Sequence, residues 1–292
     1  MSLRSVGAVI GIAMGVAAGS SAAAPPPDAD AVLARARAAL GGADKLASVS
    51  GLSVSAQSRS IETGATGVDL ELSFVPPDRY HKVETRRLGA IDGVIRTSVL
   101  SGPAATSRVT GRGGATIKQT PMTPERARKL AAGLGHEQVR LLAALLLRTD
   151  GLEVKYLGEA EASDGRADVL ELCSGGEGCF RLFFDKESRL PLMLSYQGNA
   201  PVLKSGGEAK GAGTARRKGD GKPSRVDASP GATSEITIHL GSYRAEGGIL
   251  FPHEVSFAAD GAAFEEWREL RFQPNPGFKP EHFRVSDAVP EK

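Results

Sequence analysis

The sequence is poor in aromatic residues, which make up 5% of its 292 residues. It also lacks a strong charge of either sign, because 36 Lys and Arg are nearly balanced by 34 Asp and Glu. Proteins that bind nucleic acid usually present a positive field and aromatic rings on which bases stack. We therefore expect no nucleic-acid partner.

Sequence motifs of common enzyme classes are also missing. There is no G-x-S-x-G around a nucleophilic serine, no G-x-x-x-x-G-K-[ST] phosphate loop and no H-E-x-x-H metal motif. His239 and His253 lie on predicted neighbouring strands and could form a two-histidine metal site, although surface histidines are the more common explanation. We expect no enzyme, no cofactor and no metal, with an envelope hydrolase or a metal-dependent enzyme that uses His239 and His253 as a minor alternative.

Cysteine is scarce, with only Cys173 and Cys179 in the chain. They flank a Ser-Gly-Gly-Glu-Gly turn between two alternating segments, which predicts a hairpin with the thiols at facing ends. An exported protein would meet an oxidising compartment, so we expect a disulfide. A redox-active pair is the alternative, but the C-x-x-C spacing typical of such pairs is absent.

The N-terminus has the pattern of a secretory signal peptide. Arg4 precedes an apolar run from Val6 to Ala18, and Ser21-Ala22-Ala23 resembles a cleavage site. The run is shorter than the roughly 20 residues that cross a bilayer, which argues against the alternative of an uncleaved anchor. We predict that residues 1–23 are a signal peptide and that 24–292 form one domain. No cysteine lies near the cleavage site, so a lipid anchor is not expected.

Most of the remaining chain alternates between apolar and polar residues with the period of a β-strand. About eleven such segments, joined by short turns, predict a mainly β (α+β) fold built on an antiparallel sheet with one apolar face. The segments are 52–60, 68–75, 79–87, 94–100, 152–160, 168–173, 179–185, 192–197, 235–244, 249–258 and 264–272.

Two segments have helical patterns instead. In the first, Asp28 or Asp30 can cap a helix that Gly41-Gly42 ends, and its apolar stripe is Val32, Leu33, Ala36 and Leu40. The second covers about 123–148, with Thr123 as the N-cap and Pro124 in the first turn. Gly133 and Gly135 predict a break of this segment into two helices.

The end of the second segment reads RLLAALLLR, from Arg140 to Arg148. All seven residues between the arginines are apolar, so a helix here has no face for water. The stretch must be covered by a protein core, a partner or an apolar ligand.

The segment 199–233 contains no aromatic residue, seven Gly, three Pro and a net charge of +4. Such a composition buries too little apolar area to offset the cost of ordering, which predicts a disordered basic insertion. A solvated spacer is its simplest role, and contact with an anionic envelope membrane surface is the alternative.

Four phrases resemble, in order, the periplasmic lipoprotein carriers related to LolA and LolB. They are LARARAALGGADKLASVSGLSV, FDKESRLPLMLSYQG with Leu190-Pro191, GGILFPHEVSF, and NPGFKPEHFRV with Asn275, Pro276 and Phe283. The resemblance spans roughly residues 30–286. It implies a periplasmic or envelope protein whose curved antiparallel sheet forms an incomplete β-barrel with helices over the open concave face.

The resemblance also implies a function, because members of this group bind lipid chains or lipid-modified proteins in the apolar hollow. It places an arginine in the binding strands, where Arg79, Arg86 and Arg96 are the candidates. The expected function is a non-enzymatic carrier, and the alternative is an envelope sensor or scaffold that binds a protein partner. The expected cavity residues, for which core packing is the alternative, are Leu141, Leu142, Leu145 and Leu146 from the helical lid and Leu72, Phe74, Phe257 and Trp267 from strands.

Overall fold

A computed structural model describes most of the chain, namely residues 28–61, 66–88, 91–111, 114–115, 117, 122–162, 165–175, 178–199 and 233–285. The predicted signal peptide and residues 200–232 of the predicted insertion lie outside the described residues. Within the described part, no helix has both the length and the apolar character needed to cross a membrane.

The described residues form twelve strands and three α-helices. The helices are α1 (Ala29–Leu40), α2 (Ala43–Ala47) and α3 (Pro124–Leu146), and a 3₁₀ turn covers Pro280–Phe283. The strands are β1 (Leu52–Ser60), β2 (Thr66–Val75), β3 (Arg79–Leu88), β4 (Ile91–Ser101), β5 (Ala104–Gly111), β6 (Leu152–Ala162), β7 (Gly165–Ser174), β8 (Cys179–Asp185), β9 (Pro191–Asn199), β10 (Thr233–Glu246), β11 (Ile249–Ala259) and β12 (Ala262–Pro274).

The strands form a single antiparallel sheet in the order β5-β4-β3-β2-β1-β12-β11-β10-β9-β8-β7-β6. Sequence neighbours pair as hairpins, and pairing of β1 with β12 joins the two halves of the chain. In the described part, β5 and β6 form the two edges and do not pair with each other. The sheet is therefore an incomplete barrel with helices over its concave face, which confirms the predicted fold class.

Strand β5 is the one strand that the sequence pattern did not predict. Its residues AATSRVTG are small or polar apart from Val109, so they show little apolar alternation. It occupies a sheet edge, where one neighbouring strand and helix α3 provide its contacts. An edge strand needs fewer apolar side chains than a central strand, which explains the weak signal.

Alternation along the strands defines two faces of the sheet. We call the face that packs against α3 the inner face; it carries Leu72 and Phe74 of β2 and Leu194 of β9, which are all buried. The opposite, outer face carries mostly charged and small polar side chains on the same strands. The inner face and the helices enclose one core of apolar residues.

Helix α3 is continuous from Pro124 to Leu146, so the predicted break at Gly133 and Gly135 is wrong. Two glycines lower the intrinsic helix propensity of the segment, but packing against β3, β4, β5 and β9 compensates for them. Gly135 faces the sheet, where an added Cβ would lie 3.9 Å from Leu100 Cδ2. The predicted cap is confirmed, because the Thr123 hydroxyl accepts a hydrogen bond from the Arg126 amide.

Helix α1 follows its prediction closely. Asp28 Oδ1 accepts from the Ala31 amide at 2.6 Å, which identifies Asp28 as the N-cap. The four residues of the apolar stripe are all buried. Gly41 ends the helix with a φ of 136°, a conformation that favours glycine.

The hairpin of β7 and β8 contains the expected disulfide. Cys173 and Cys179 are direct partners in the strand register, and their sulfur atoms are bonded. The ends of the predicted insertion have a similar arrangement, because Asn199 of β9 pairs with Thr233 of β10. Residues 200–232 therefore connect two strands of one hairpin.

The phrases that resemble the lipoprotein carriers have structural roles at the rim of the sheet. Asn275 Oδ1 accepts from the Ser50 amide at 2.7 Å, and its side-chain nitrogen donates to the Ser48 carbonyl. The Pro191 carbonyl accepts from the Tyr243 hydroxyl at 2.7 Å. Phe251 and Phe283 are buried. These contacts tie the closing segment and the β8–β9 turn to the sheet.

Candidate ligand cavity under helix α3

The C-terminal half of α3 lies inside the incomplete barrel. All seven residues from Leu141 to Leu147 are buried, with at most 7% of any of them exposed. Arg140 and Arg148 flank this stretch, and each contacts another part of the chain. Arg148 donates to the Val49 carbonyl at 2.7 Å, and the Arg140 guanidinium lies 3.8 Å from the centre of the Tyr196 ring. The sheet therefore covers this apolar stretch, which as a helix has no polar side to face water.

A small cavity remains between α3 and the inner face of the sheet, where the two pack together. Its volume is about 10 Å³, roughly that of one water-sized sphere, and its surface is entirely apolar. It is too small for an acyl chain while α3 stays in place. The lining residues are Val54, Leu72, Leu141, Ala144, Leu145, Leu194, Ile238, Leu240, Val255, Trp267, Leu270 and Phe272.

Four of the eight predicted cavity residues line this cavity, namely Leu72, Leu141, Leu145 and Trp267. The other four are close to it but are not part of its wall. Leu142, Leu146 and Phe74 are buried in the surrounding core. Phe257 is partly buried, and its ring centre lies 4.9 Å from that of Trp267. Contact of any of these residues with a ligand stays a prediction.

The remaining lining residues were not predicted from the sequence to be cavity residues. Ile238 and Leu240 alternate with exposed residues on β10, and Leu270 and Phe272 do so on β12. This alternation identifies them as inner-face residues. It does not say which inner-face residues lie beneath α3, because that depends on how the sheet curves.

Polar groups surround Glu137, one helical turn before the first cavity leucine of α3. Glu137 Oε1 accepts from Lys82 Nζ at 2.9 Å and from the Tyr80 hydroxyl at 3.1 Å. Burial works against the charge of Lys82, but Glu137 and Glu84 outweigh it and raise the pKa of its ammonium group. Burial, followed by Glu137, raises the pKa of Tyr80 well above its ordinary value. Both groups are therefore protonated donors at neutral pH.

A second polar contact lies beside the first on α3. The side chain of Gln138, which is 1% exposed, donates from Nε2 to the Arg79 carbonyl at 3.2 Å. Near the cavity wall, Glu265 Oε1 accepts from Trp267 Nε1 at 2.8 Å and from the Ser58 hydroxyl at 2.7 Å. These bonds satisfy polar atoms that an apolar interior would otherwise penalise.

The three candidate arginines fall on different sides of the sheet. Arg86 and Arg96 share the inner face with Lys82 by strand alternation, and both are exposed. Arg79 alternates with inner-face Tyr80, and its guanidinium carbon lies 5.7 Å from the centre of the Phe283 ring. Arg86 and Arg96 therefore lie on the inner face and Arg79 does not; contact of any of the three with a ligand stays a prediction.

The two histidines of the minor metal hypothesis both border an open depression of about 1110 Å³. His253 Nε2 lies 2.9 Å from Glu246 Oε1, although the geometry is not that of a hydrogen bond. Among the described residues, the one group of three potential metal ligands is Glu171, Cys173 and Cys179, and its sulfurs form the disulfide. His239 and His253 thus border one depression, but among the described residues they form no group of three ligand atoms close enough to hold a metal ion.

Comparison with known proteins gives matches among solved structures. No family model and no curated protein matches the chain. It is similar to a LolA superfamily protein from Nitrosomonas europaea, at 9% identity over 89% of this chain and 98% of that one, with a TM-score of 0.47. A putative outer membrane lipoprotein-sorting protein domain from Vibrio parahaemolyticus has 12% identity over 86% of this chain and 95% of that one, with a TM-score of 0.45. A DUF1329 family protein from Desulfovibrio piger has 11% identity over 88% and 97%, with a TM-score of 0.46.

Proposed function

We propose that this chain is an exported, non-enzymatic carrier of the periplasm or cell envelope. It holds the acyl chain of a lipid or lipid-modified protein between α3 and the inner face of the sheet. The observation that carries the proposal is the last stretch of α3, Leu141–Leu146, which is apolar on all sides and lies against a wholly apolar cavity within an open barrel. The sequence phrases that resemble the lipoprotein carriers support it independently.

Loading requires α3 to move, because the enclosed volume of about 10 Å³ cannot hold a chain. Exposing the four leucines of the lid would cost about 6–12 kcal/mol, at about 1.5–3 kcal/mol for each buried side chain. Burial of a chain of about twelve methylene groups contributes about 10 kcal/mol. The two quantities are comparable, so the chain can exchange with the leucines reversibly, as a carrier requires.

The architecture allows this movement without loss of strand pairing. Helix α3 connects the two edge strands, β5 and β6, and forms no part of the sheet. Its N-terminal half is largely exposed, whereas its C-terminal half is buried. The helix can therefore swing away while the hydrogen-bonded sheet stays intact.

Native mass spectrometry of the protein purified from its own host tests the proposal. The expected result is a fraction of molecules with the added mass of an acyl-bearing compound, which organic solvent extracts. The matched control is the protein after delipidation, which should lose the added mass and regain it when incubated with the extract. A chain that never carries or regains an acyl compound would contradict the carrier function.

A second candidate function is a scaffold or sensor that binds a protein partner through the same fold. The observation that favours it is the near-complete filling of the hollow by the leucines of α3. Among the described residues β6 is an edge strand, the kind of strand to which a partner strand can add, and it carries Leu157, which is 48% exposed. Under this function the native protein would bind a partner and contain no acyl compound.

A further inference from the structure

We propose that the ligand of the cavity has an anionic head, and that Glu137 of α3 occupies the head-group site in the closed structure. This inference rests on the proposed carrier function and specifies its ligand class. The site consists of Lys82 Nζ and the Tyr80 hydroxyl, which converge on one oxygen of the Glu137 carboxylate at 2.9 and 3.1 Å.

The cationic site and the apolar cavity follow one another along α3, in the same order as the charged head and the apolar chain of an amphiphile. Glu137, Leu141 and Leu145 are spaced by four residues and lie along one side of α3, about 6 Å apart for each step. The first holds the cationic site and the other two line the apolar cavity. Helix α3 thus presents a carboxylate followed by an apolar stretch, and a ligand that replaces it meets the same two environments.

Lys82 and Tyr80 share Glu137 as their acceptor while α3 is in place, and departure of α3 would remove that acceptor. Tyr80 is 0% exposed, and the side chain of Lys82 is 19% exposed. The nearest remaining carboxylate is that of Glu84, whose Oε1 lies 4.0 Å from Lys82 Nζ, beyond hydrogen-bond distance. A ligand that takes the place of α3 covers Lys82 again, so one that brings its own anion replaces the lost charge-assisted hydrogen bond and is favoured over a neutral one.

Carboxylate and phosphate heads share the chemistry that this site recognises, since either accepts hydrogen bonds from an ammonium group and a hydroxyl. A free fatty acid and an acidic phospholipid could therefore both supply the ligand. A chain-matched series separates head-group recognition from chain burial: palmitate, hexadecyl phosphate and the neutral hexadecanol contain the same number of chain carbons.

Calorimetric titration of the full chain with these three compounds tests the inference. We expect the two anions to bind about tenfold more tightly than hexadecanol, the effect of one charge-assisted hydrogen bond. The Lys82→Met variant should lose this preference and still bind hexadecanol. Arg271→Met, which removes an exposed cation from the outer face of β12, is the control and should keep the preference.

The outcomes separate the head-group site from the carrier function. Binding of all three compounds with equal affinity would overturn the head-group site and leave the carrier function standing. If none of the three compounds bound the folded wild-type protein, the carrier function itself would be overturned. Tighter binding of palmitate would indicate a carboxylate ligand, and tighter binding of hexadecyl phosphate would indicate a phospholipid; both results support the site.

The Glu137→Gln variant tests whether α3 competes with the head group. Removing the competing carboxylate should strengthen palmitate binding by about tenfold and hexadecanol binding by much less. The same change in the Lys82→Met background should leave palmitate binding unaltered, because no cationic site remains to be released. Equal gains for palmitate and hexadecanol would show that Glu137 only holds the helix closed, which would overturn its role as a head-group substitute.

Discussion

Some polar residues of the sheet are buried enough to shift the pKa of their side chains, and this shift affects the stability of the fold. His81 and His282 illustrate this on the outer face, where His81 Nδ1 lies 3.1 Å from His282 Nε2 and the latter lies 2.9 Å from the Ser73 hydroxyl. Burial, and then the neighbouring His282, lower the pKa of His81 from 6.5 to about 4. Burial therefore favours the neutral form of His81.

This pKa predicts an acid-sensitive stability. The unfolded chain takes up a proton on His81 near pH 6.5, whereas the folded chain does so only near pH 4. The stability due to the neutral histidine is thus present above pH 6.5 and is lost as the pH falls from 6.5 to about 4. Urea unfolding at pH 7 and pH 5 should show a larger loss for the wild type than for His81→Gln. An equal loss in both proteins would contradict the role of His81.

Some site residues are visible in the sequence and others are not. The leucines of α3 stand out because seven apolar residues in a row leave no wet face, so their burial follows from composition alone. The pairing of Lys82 with Glu137 joins residues that are 55 positions apart, and no local pattern predicts it. Leu141 and Leu142 cannot be distinguished by sequence either, because only the position of the sheet decides which of them lines the cavity.

Elements follow their sequence signals where local and tertiary preferences agree. Helix α1 begins and ends at its predicted caps, and the alternating segments form strands. Strand β5 shows little apolar alternation because an edge strand needs fewer apolar side chains than a central strand. The glycines of α3 misled the prediction for the opposite reason, since burial of the helix outweighs their unfavourable propensity.

Helix α3 should become more stable when Gly133 is replaced by alanine. An added Cβ would meet no atom within 4 Å, and the helical backbone suits alanine, so we expect a gain of about 0.5–1 kcal/mol. Gly41→Ala is the matched opposite, because its φ is 136° and the Cβ would lie 2.6 Å from the Gly248 carbonyl oxygen. Urea unfolding should give opposite signs for the two variants. A loss of stability in Gly133→Ala would mean that the glycine has a conformational role.

The β9–β10 hairpin should tolerate a shorter connection. Asn199 and Thr233 are already partners in the register, so a two-residue turn can replace residues 200–232. Loop-closure entropy falls by about 0.6 kcal/mol for each halving of loop length, which predicts an unchanged or slightly higher free energy of unfolding. Chemical unfolding of the shortened chain measures this. A large destabilisation would show that the removed residues contribute to the folded core.

The whole molecule combines a rigid part with a part that can move. Eleven adjacent strand pairings hold the sheet together, while α3 is attached to it through side chains alone. The apolar cavity is small because the leucines of α3 fill the hollow, so the closed structure is the unloaded state of the proposed carrier. The incomplete barrel was predicted from the order of short sequence phrases. How completely α3 fills the barrel depends on side-chain packing, which these short sequence phrases do not predict.

Entry of an acyl chain beneath α3 is the central claim, and Trp267 provides a direct probe. It is the single tryptophan of the chain and lines both the cavity beneath α3 and the open depression. Stearate with a nitroxide in the middle of its chain should quench Trp267 fluorescence in a saturable manner, and unlabelled palmitate should reverse the quenching. Because Trp267 borders both spaces, the quenching should also be lost when Leu145→Asp alters the α3 side of the cavity. Bound stearate that leaves the emission of Trp267 unchanged would place the chain elsewhere and contradict the claim.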